Sequence, residues 1–150
     1  MKKLVYPALF AIIGLTLMAQ TPSTNAPAPA PAAPAKMPTT IFDWDQMHVE
    51  TKPNGERRDV FDAPTTTLDK VHCHITTLKP GENSGAPRLH LQEEIIIVKE
   101  GTVEATFDGQ TKIVGPGSVI FFAANATTRL RNAGDSPCTY TVINYYPSKN

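Results

Sequence analysis

Residues able to perform chemistry concentrate in the segment 80–101, PGENSGAPRLHLQEEIIIVKEG. Arg88, His90 and Glu94 stand where a polar loop leads into the apolar run 95–98, which reads IIIV. An imidazole and a carboxylate can ligate a transition metal or transfer a proton, whereas a guanidinium only donates hydrogen bonds and suits carboxylates. Polar groups at the end of a rigid strand are typical of a small-molecule pocket, and His90 and Glu94 are its candidate catalytic residues.

A second pair of imidazoles, His72 and His74, lies in the stretch VHCHI. Residues two apart on a strand share a face, a geometry that suits chelation of one metal ion. Val71, Cys73 and Ile75 alternate with the histidines and are more apolar, so we expect this odd-numbered set to face the core. The two histidines would then face solvent, a second sheet surface or a partner subunit.

Short strands must position these groups. No helical periodicity is sustained from residue 40 onward, and turn signals such as Asp108-Gly109 separate short apolar or alternating runs. Trp44 is expected to anchor the start of the domain on the sheet. The predicted strands cover 57–61, 68–78, 95–98, 102–107, 112–114, 118–124, 127–131 and 138–146. Many short strands with turns between them indicate an all-β sandwich or barrel, and roughly 110 residues suffice for one such unit.

The first 39 residues differ from the rest in composition. Residues 1–19 place two lysines before an apolar stretch that ends in Ala19, the order of a secretory signal peptide. Residues 20–39 are rich in alanine and proline, which favours an extended linker. We therefore expect a signal peptide at 1–19, a linker at 20–39 and one domain at 40–150. The protein is predicted to be exported, periplasmic or extracellular in a bacterial envelope, with membrane contact only through an uncleaved leader.

The charge balance bears on the binding of nucleic acid, and the two cysteines raise the question of a disulfide. Lys and Arg together number 14, as do Asp and Glu, so the formal net charge is zero. Nucleic-acid binding would require a clustered basic excess, and none is expected here. Cys73 and Cys138 both fall in predicted strands, and a disulfide between them would need matched register, which leaves their pairing open. A buried free thiol is the expected state of Cys73.

The spacing of these segments resembles the two sequence motifs of the cupin superfamily. In motif one, about 80–101, a Pro-Gly turn is followed by position 88, by His90, by Glu94 after three residues and by Gly101 after six more. The frame of motif two, about 109–132, is held by Gly109, Pro116-Gly117 and Asn132. The resemblance, to small single-domain cupins of the type-2 conserved-barrel kind, implies a double-stranded β-helix, or jelly-roll barrel, with a pocket inside. It also implies pairing as a homodimer through an outer sheet face.

The resemblance further implies four metal-ligand positions, normally two histidines, a glutamate and a later histidine. In this chain they are Arg88, His90, Glu94 and Thr128. Arginine has no lone pair to offer, and a neutral threonine hydroxyl is a poor ligand for zinc, iron or nickel. We therefore expect no metal cofactor. These four residues would instead line a pocket for an anionic or polar small molecule, with Arg88 paired to Glu94 in place of the ion.

An alternative from the same resemblance is a metal-dependent enzyme of dioxygenase, isomerase or decarboxylase type. One divalent ion of iron, manganese, nickel or zinc would then bind His90 and Glu94 together with other ligands, and His72 with His74 is a weaker choice. Metal-free acid–base catalysis by His90 and Glu94 also stays open. Whether the protein is an enzyme does not follow from its sequence.

Overall fold

A computed structural model describes residues 33–148 of the chain. The predicted signal peptide at 1–19 and most of the predicted linker at 20–39 lie outside the described residues. Within 33–148, no helix has the length and apolar character needed to cross a membrane. A single 3₁₀ turn, Trp44–Gln46, precedes ten strands in this range. The strands are β1 Glu50–Lys52, β2 Gly55–Ala63, β3 Leu68–Leu78, β4 Arg88–Leu89, β5 Glu93–Glu100, β6 Val103–Phe107, β7 Gln110–Val114, β8 Val119–Phe122, β9 Thr127–Asn132 and β10 Cys138–Pro147.

The strands form two antiparallel sheets. The larger sheet has six strands in the order β1-β2-β3-β10-β5-β8, and the smaller has four in the order β4-β9-β6-β7. The buried core draws on both sheets, since Ile96 and Val142 of the larger sheet and Val103 and Leu130 of the smaller one belong to a single apolar cluster. The predicted all-β, two-sheet barrel is therefore confirmed.

The inner face of β3 is the one that carries its histidines. In the larger sheet, Val142 of β10 is the register partner of both His74 on β3 and Ile96 on β5, and partners across a ladder share a face. Val142 and Ile96 are part of the core. His72 and His74 therefore face the space between the sheets, and the expectation that the odd-numbered residues of β3 face that core is wrong.

The odd-numbered residues of β3 are apolar because the outer face of this sheet is covered as well. Cys73 is 5% exposed and pairs with Phe61 of β2. The ring of Phe42, from the segment that precedes β1, lies 5.3 Å from the ring of Phe61. Trp44 packs beneath the cations of Arg58 and Lys99, which confirms its predicted anchoring role. The apolar residues at odd-numbered positions of β3 thus pack on the side covered by the N-terminal segment, and not on the core between the sheets.

The two cysteines are distant from each other despite lying on neighbouring strands. Cys73 pairs with Ile143 and Cys138 pairs with Leu78, five residues farther along β3. At about 3.4 Å per residue the separation is about 17 Å, far beyond the reach of a disulfide. Both thiols are free and buried, as expected for Cys73.

Asn132, the last residue of β9, connects the turn that follows it to the end of β3 in the other sheet. Its buried Nδ2 donates to the carbonyl oxygens of Leu78 at 3.0 Å and Ser136 at 2.8 Å, and its Oδ1 accepts from the backbone N–H of Gly134 at 2.9 Å. One side chain thereby satisfies three backbone polar groups in two segments, which explains why the sequence frame ends on an asparagine.

We predict that Asn132→Ala lowers the free energy of unfolding by about 2–4 kcal/mol, because the substitution leaves buried carbonyl groups without donors. Urea denaturation measures the change. Gln110→Ala, at an exposed position on β7, is the control and should change stability by no more than about 0.5 kcal/mol. Equal effects of the two substitutions would contradict the bracing role of Asn132.

Candidate functional site

A cavity of about 300 Å³, here called the central cavity, opens on the inner face of the larger sheet. The residues that line it and matter for its chemistry are Arg57, His74, Arg88, His90, Glu94, Thr128 and Tyr140. An adjoining cleft shares five of these residues and adds His72 and Asn144. The structure thus brings Arg88, His90, Glu94 and Thr128, the four positions singled out by the sequence, to one cavity. Their role in binding stays a prediction.

Both sheets contribute side chains to the central cavity. Glu94 begins the inner face of β5 and is 7% exposed, because inward-facing residues alternate along this strand. Arg88 lies on β4 of the smaller sheet, where its register partner is the buried Thr128 of β9. His90 follows β4 and is held by its backbone, which donates to Ala126 and accepts from the N–H of Asn125. The cavity is therefore walled by rigid strands on two sides.

Arg88, His90 and Glu94 form a chain of contacts. Arg88 Nε donates to His90 Nε2 at 3.2 Å, and His90 Nδ1 lies 3.8 Å from Glu94 Oε2. Because a guanidinium is only a donor, Nε2 of His90 must be the acceptor, and the ring proton then resides on Nδ1, facing the carboxylate. Asn144 Nδ2 donates to the same Glu94 oxygen at 2.9 Å.

The expected direct pairing of Arg88 with Glu94 is wrong. No ion pair joins these two residues in the described part of the chain, and His90 contacts both of them. The physical reason is that Arg88 belongs to the smaller sheet and Glu94 to the larger one. The carboxylate of Glu94 accepts a hydrogen bond from Asn144 and faces the ring of His90, and it has no contact with a guanidinium among residues 33–148.

The donor set does not fit a transition metal at the four motif positions. A metal would need an imidazole lone pair, and the lone pair of His90 already accepts from Arg88. Thr128 supplies only a neutral hydroxyl. Among residues 33–148, no group of three or more His, Cys, Asp or Glu side chains is arranged to hold a metal ion.

His72 and His74 are bonded to each other rather than arranged as a chelating pair. Nε2 of His72 lies 3.0 Å from Nδ1 of His74, and Arg57 Nη2 lies 3.3 Å from the same His72 nitrogen. Burial lowers the pKa of His74 to about 3, and the cations of Arg57 and Arg88 favour the same neutral form. The carboxylate of Asp59 acts in the opposite direction and raises the pKa of His74, but it also accepts a hydrogen bond from Arg57 at 2.7 Å.

Sequence reasoning missed three residues of the site, namely Arg57, Tyr140 and Asn144. Arg57 resembled a surface charge, and only its register with Thr76 on β3 shows that it faces inward. The signal for the other two lay in β10, where a polar Asn144 shares a face with the apolar Val142. Such a polar residue on a buried face is a useful indicator of a site.

Comparison with known proteins agrees with this architecture. Residues 74–144 match the family Cupin_2, described as cupin domain. A stretch of 69 residues is 33% identical to mannose-1-phosphate guanylyltransferase of Escherichia coli (strain K12) and covers 46% of this chain but only 14% of that protein. The chain thus spans a small part of the length of this curated relative.

Solved structures of other cupins share the fold. KdgF from Halomonas sp. superposes with a TM-score of 0.61 at 15% identity, over 75% of this chain and 97% of that chain. A sugar phosphate isomerase from a cupin superfamily, from Silicibacter pomeroyi, gives a TM-score of 0.56 at 20% identity, over 74% and 83% of the two chains. Two facing antiparallel sheets around a polar cavity define a cupin barrel. The family match over residues 74–144 and the shared fold together support a cupin-superfamily protein.

We predict that His74 makes folding less favourable at low pH. The unfolded chain protonates His74 below its ordinary value of 6.5, whereas the folded chain resists protonation until about pH 3. Stability should therefore fall as the pH drops below about 6.5, by up to about 1.4 kcal/mol per pH unit from this group. Urea unfolding at pH 7.5, 6.0 and 4.5 should show a smaller slope for His74→Phe. The same change at the exposed His48 is the control, and parallel slopes for all three proteins would contradict the burial argument.

A second prediction concerns metal binding. The wild-type protein should show no shift in melting temperature with iron, manganese, nickel or zinc salts. Arg88→His combined with Thr128→His removes the guanidinium from His90 and supplies imidazoles at both positions. A metal present at 100 times its Kd should then add about 2.7 kcal/mol of stability. Stabilisation of the wild type by these salts, or none in the double variant, would show that the four positions are wrongly matched.

Proposed function

We propose that this chain is an exported single-domain cupin whose central cavity binds a small anionic ligand without a metal cofactor. The observation that carries this proposal is the position of Arg88, a cation on the cavity wall that has no carboxylate partner among residues 33–148. Only its Nε is engaged there, so the remaining guanidinium N–H groups are available to a ligand. A planar guanidinium binds a carboxylate through two parallel hydrogen bonds.

The charges around the cavity support an anion rather than a cation. Arg57 adds a second guanidinium to the wall, and its partner Asp59 has a largely exposed side chain. The one carboxylate that lines the cavity, Glu94, is buried and accepts from Asn144. The matched curated relative is named for a phosphorylated sugar, which also agrees with an anionic ligand.

The contacts of His90 and Glu94 favour a binding function over catalysis by these two residues. The two ring nitrogens of His90 face Arg88 and Glu94, so neither is free to take a proton from a ligand. A metal-dependent enzyme would require Arg88 to release His90 before any ion could bind. The arrangement therefore supports a positioning role for His90, which holds the guanidinium of Arg88 in place.

Export is a separate part of the proposal and rests on the sequence alone. The basic start, the apolar stretch and the small residue at Ala19 are the features of a secretory signal peptide. The alanine- and proline-rich residues 20–39 would then separate the barrel from the point of cleavage or attachment.

We predict that small carboxylates bind the wild-type protein and that their uncharged amides do not. Thermal-shift screening of acid–amide pairs identifies the binders, and isothermal titration calorimetry gives Kd. Arg88→Gln should weaken carboxylate binding about 10- to 100-fold, because a charge-assisted hydrogen bond is worth about 1.5–3 kcal/mol. The substitution keeps a side chain of similar length and removes only the charge and part of the donor set.

Arg131→Gln is the matched control. Arg131 lies on β9, pairs with Glu104 at 3.6 Å and does not line the central cavity. Its substitution should leave Kd unchanged. Equal binding of acids and amides, or equal losses in the two arginine variants, would overturn the proposed site.

A further inference from the structure

Contacts among Arg57, His72 and His74 determine which ring nitrogens carry protons. Arg57 Nη2 lies 3.3 Å from His72 Nε2. Because the guanidinium has no acceptor, His72 Nε2 must present its lone pair, and the proton of His72 must reside on Nδ1. The nearest acceptor to that Nδ1 is Asp62 Oδ2 at 3.6 Å, which is too long for a hydrogen bond, so the attraction of the carboxylate for this N–H is electrostatic.

The tautomer of His74 follows from that of His72. His74 Nδ1 lies 3.0 Å from the same Nε2 of His72, so with that nitrogen as acceptor His74 is a second donor, which shares one lone pair with Arg57. The proton of His74 is thereby placed on Nδ1, and its Nε2 holds a lone pair to which no residue of the described range donates. Since His74 lines the central cavity and its Nδ1 is occupied, Nε2 is the atom left to meet a ligand. Burial keeps this ring neutral by lowering its pKa to about 3.

Tyr140 supplies a second unsatisfied polar group to the same cavity. Its side chain is almost fully buried, at 1% exposure, and its hydroxyl lies near the hydroxyls of Thr76 and Ser84 without a hydrogen bond of good geometry to any group among residues 33–148. A buried hydroxyl without a partner costs stability, and such groups are usually satisfied by water or by a ligand. The wall of the cavity therefore combines the cation of Arg88 with two uncharged groups, the His74 ring and the Tyr140 hydroxyl, that are able to hydrogen-bond a ligand.

We infer that the ligand of the central cavity is a hydroxy-carboxylic acid, whose carboxylate binds Arg88 and whose hydroxyl donates to Nε2 of His74. This inference rests on the proposed binding of an anion and adds the class of molecule. A hydroxyl fits because it can donate to the lone pair of His74, and a hydroxyl is also able to exchange a hydrogen bond with Tyr140. His72 acts as a positioning residue, since it orients the lone pair of His74 without reaching the ligand itself.

Pairs of acids that differ only in hydroxyl groups test the inference on the wild-type protein. Calorimetric titration compares butyrate with 2-, 3- and 4-hydroxybutyrate, and hexanoate with gluconate. At least one hydroxy acid should bind at least about fivefold more tightly than its plain counterpart, the gain expected of one neutral hydrogen bond. His74→Phe keeps a ring of similar size but removes the acceptor, so it should abolish the preference. His48→Phe, at an exposed position, should leave it intact.

Variants of His72 distinguish orientation from simple packing. His72→Gln retains an acceptor for the Nδ1–H of His74 through its amide oxygen and should preserve the preference for hydroxy acids. His72→Leu has no acceptor and should reduce that preference while binding of the plain acids persists.

The outcomes separate this inference from the proposed function. Equal affinities for plain and hydroxy acids in the wild type, or a preference that survives in His74→Phe, would overturn the hydroxy acid and leave the anion site standing. Failure of every acid to bind would overturn both.

Discussion

Two arginines on the cavity wall each contact a ring nitrogen of a histidine: Arg88 donates to His90 at 3.2 Å, and Arg57 lies 3.3 Å from Nε2 of His72. A guanidinium stays protonated in proteins and offers no lone pair, so each contact dictates which nitrogen of its histidine is the acceptor. At His90 the consequence is a lone pair unavailable to a metal. At His72 the consequence is that the proton lies on Nδ1, and the position of that proton in turn determines the tautomer of His74. The chemistry of the cavity therefore depends on which nitrogen of each histidine accepts a hydrogen bond more than on the number of histidines present.

The barrel that supports these contacts has a simple physical basis. Inward-facing residues of β5 and β10 are apolar toward one end, at Ile96, Val98 and Val142, and polar at the other, at Glu94 and Asn144. The apolar end seals the core between the sheets, and the polar end forms the cavity. Because the same strands build both regions, rigidity of the core is transmitted directly to the side chains of the site.

Much of the fold was predictable because strand alternation and turn residues are local signals. The limits of β3, the central half of β5 and most of β10 follow from such patterns, as does the proximity of His90 to Glu94. Two short strands, β1 and β4, were not predicted, since three and two residues are too few to show alternation. Both depend on partners that are found only in the folded chain.

The orientation of β3 could not be read from its sequence, because the outer face is covered and carries the more apolar residues. The strand that pairs with Arg88 could not be read from the sequence either. Its assignment to the smaller sheet depends on pairing with Thr128, which is far away in sequence. The inward position of Arg57 likewise depends on register with β3. Local patterns thus located the cavity, while tertiary pairing decided which groups meet inside it.

The covering of the outer face by the N-terminal segment has a consequence for redox chemistry. Cys73 lies on the face where Phe42 packs on Phe61, and burial raises the pKa of its thiol to about 11. Thiolate is the form that oxidants attack, so at neutral pH this sulfur is almost inert. Burial on the covered face of β3 therefore does more than complete the packing, because it keeps this sulfur in its unreactive thiol form.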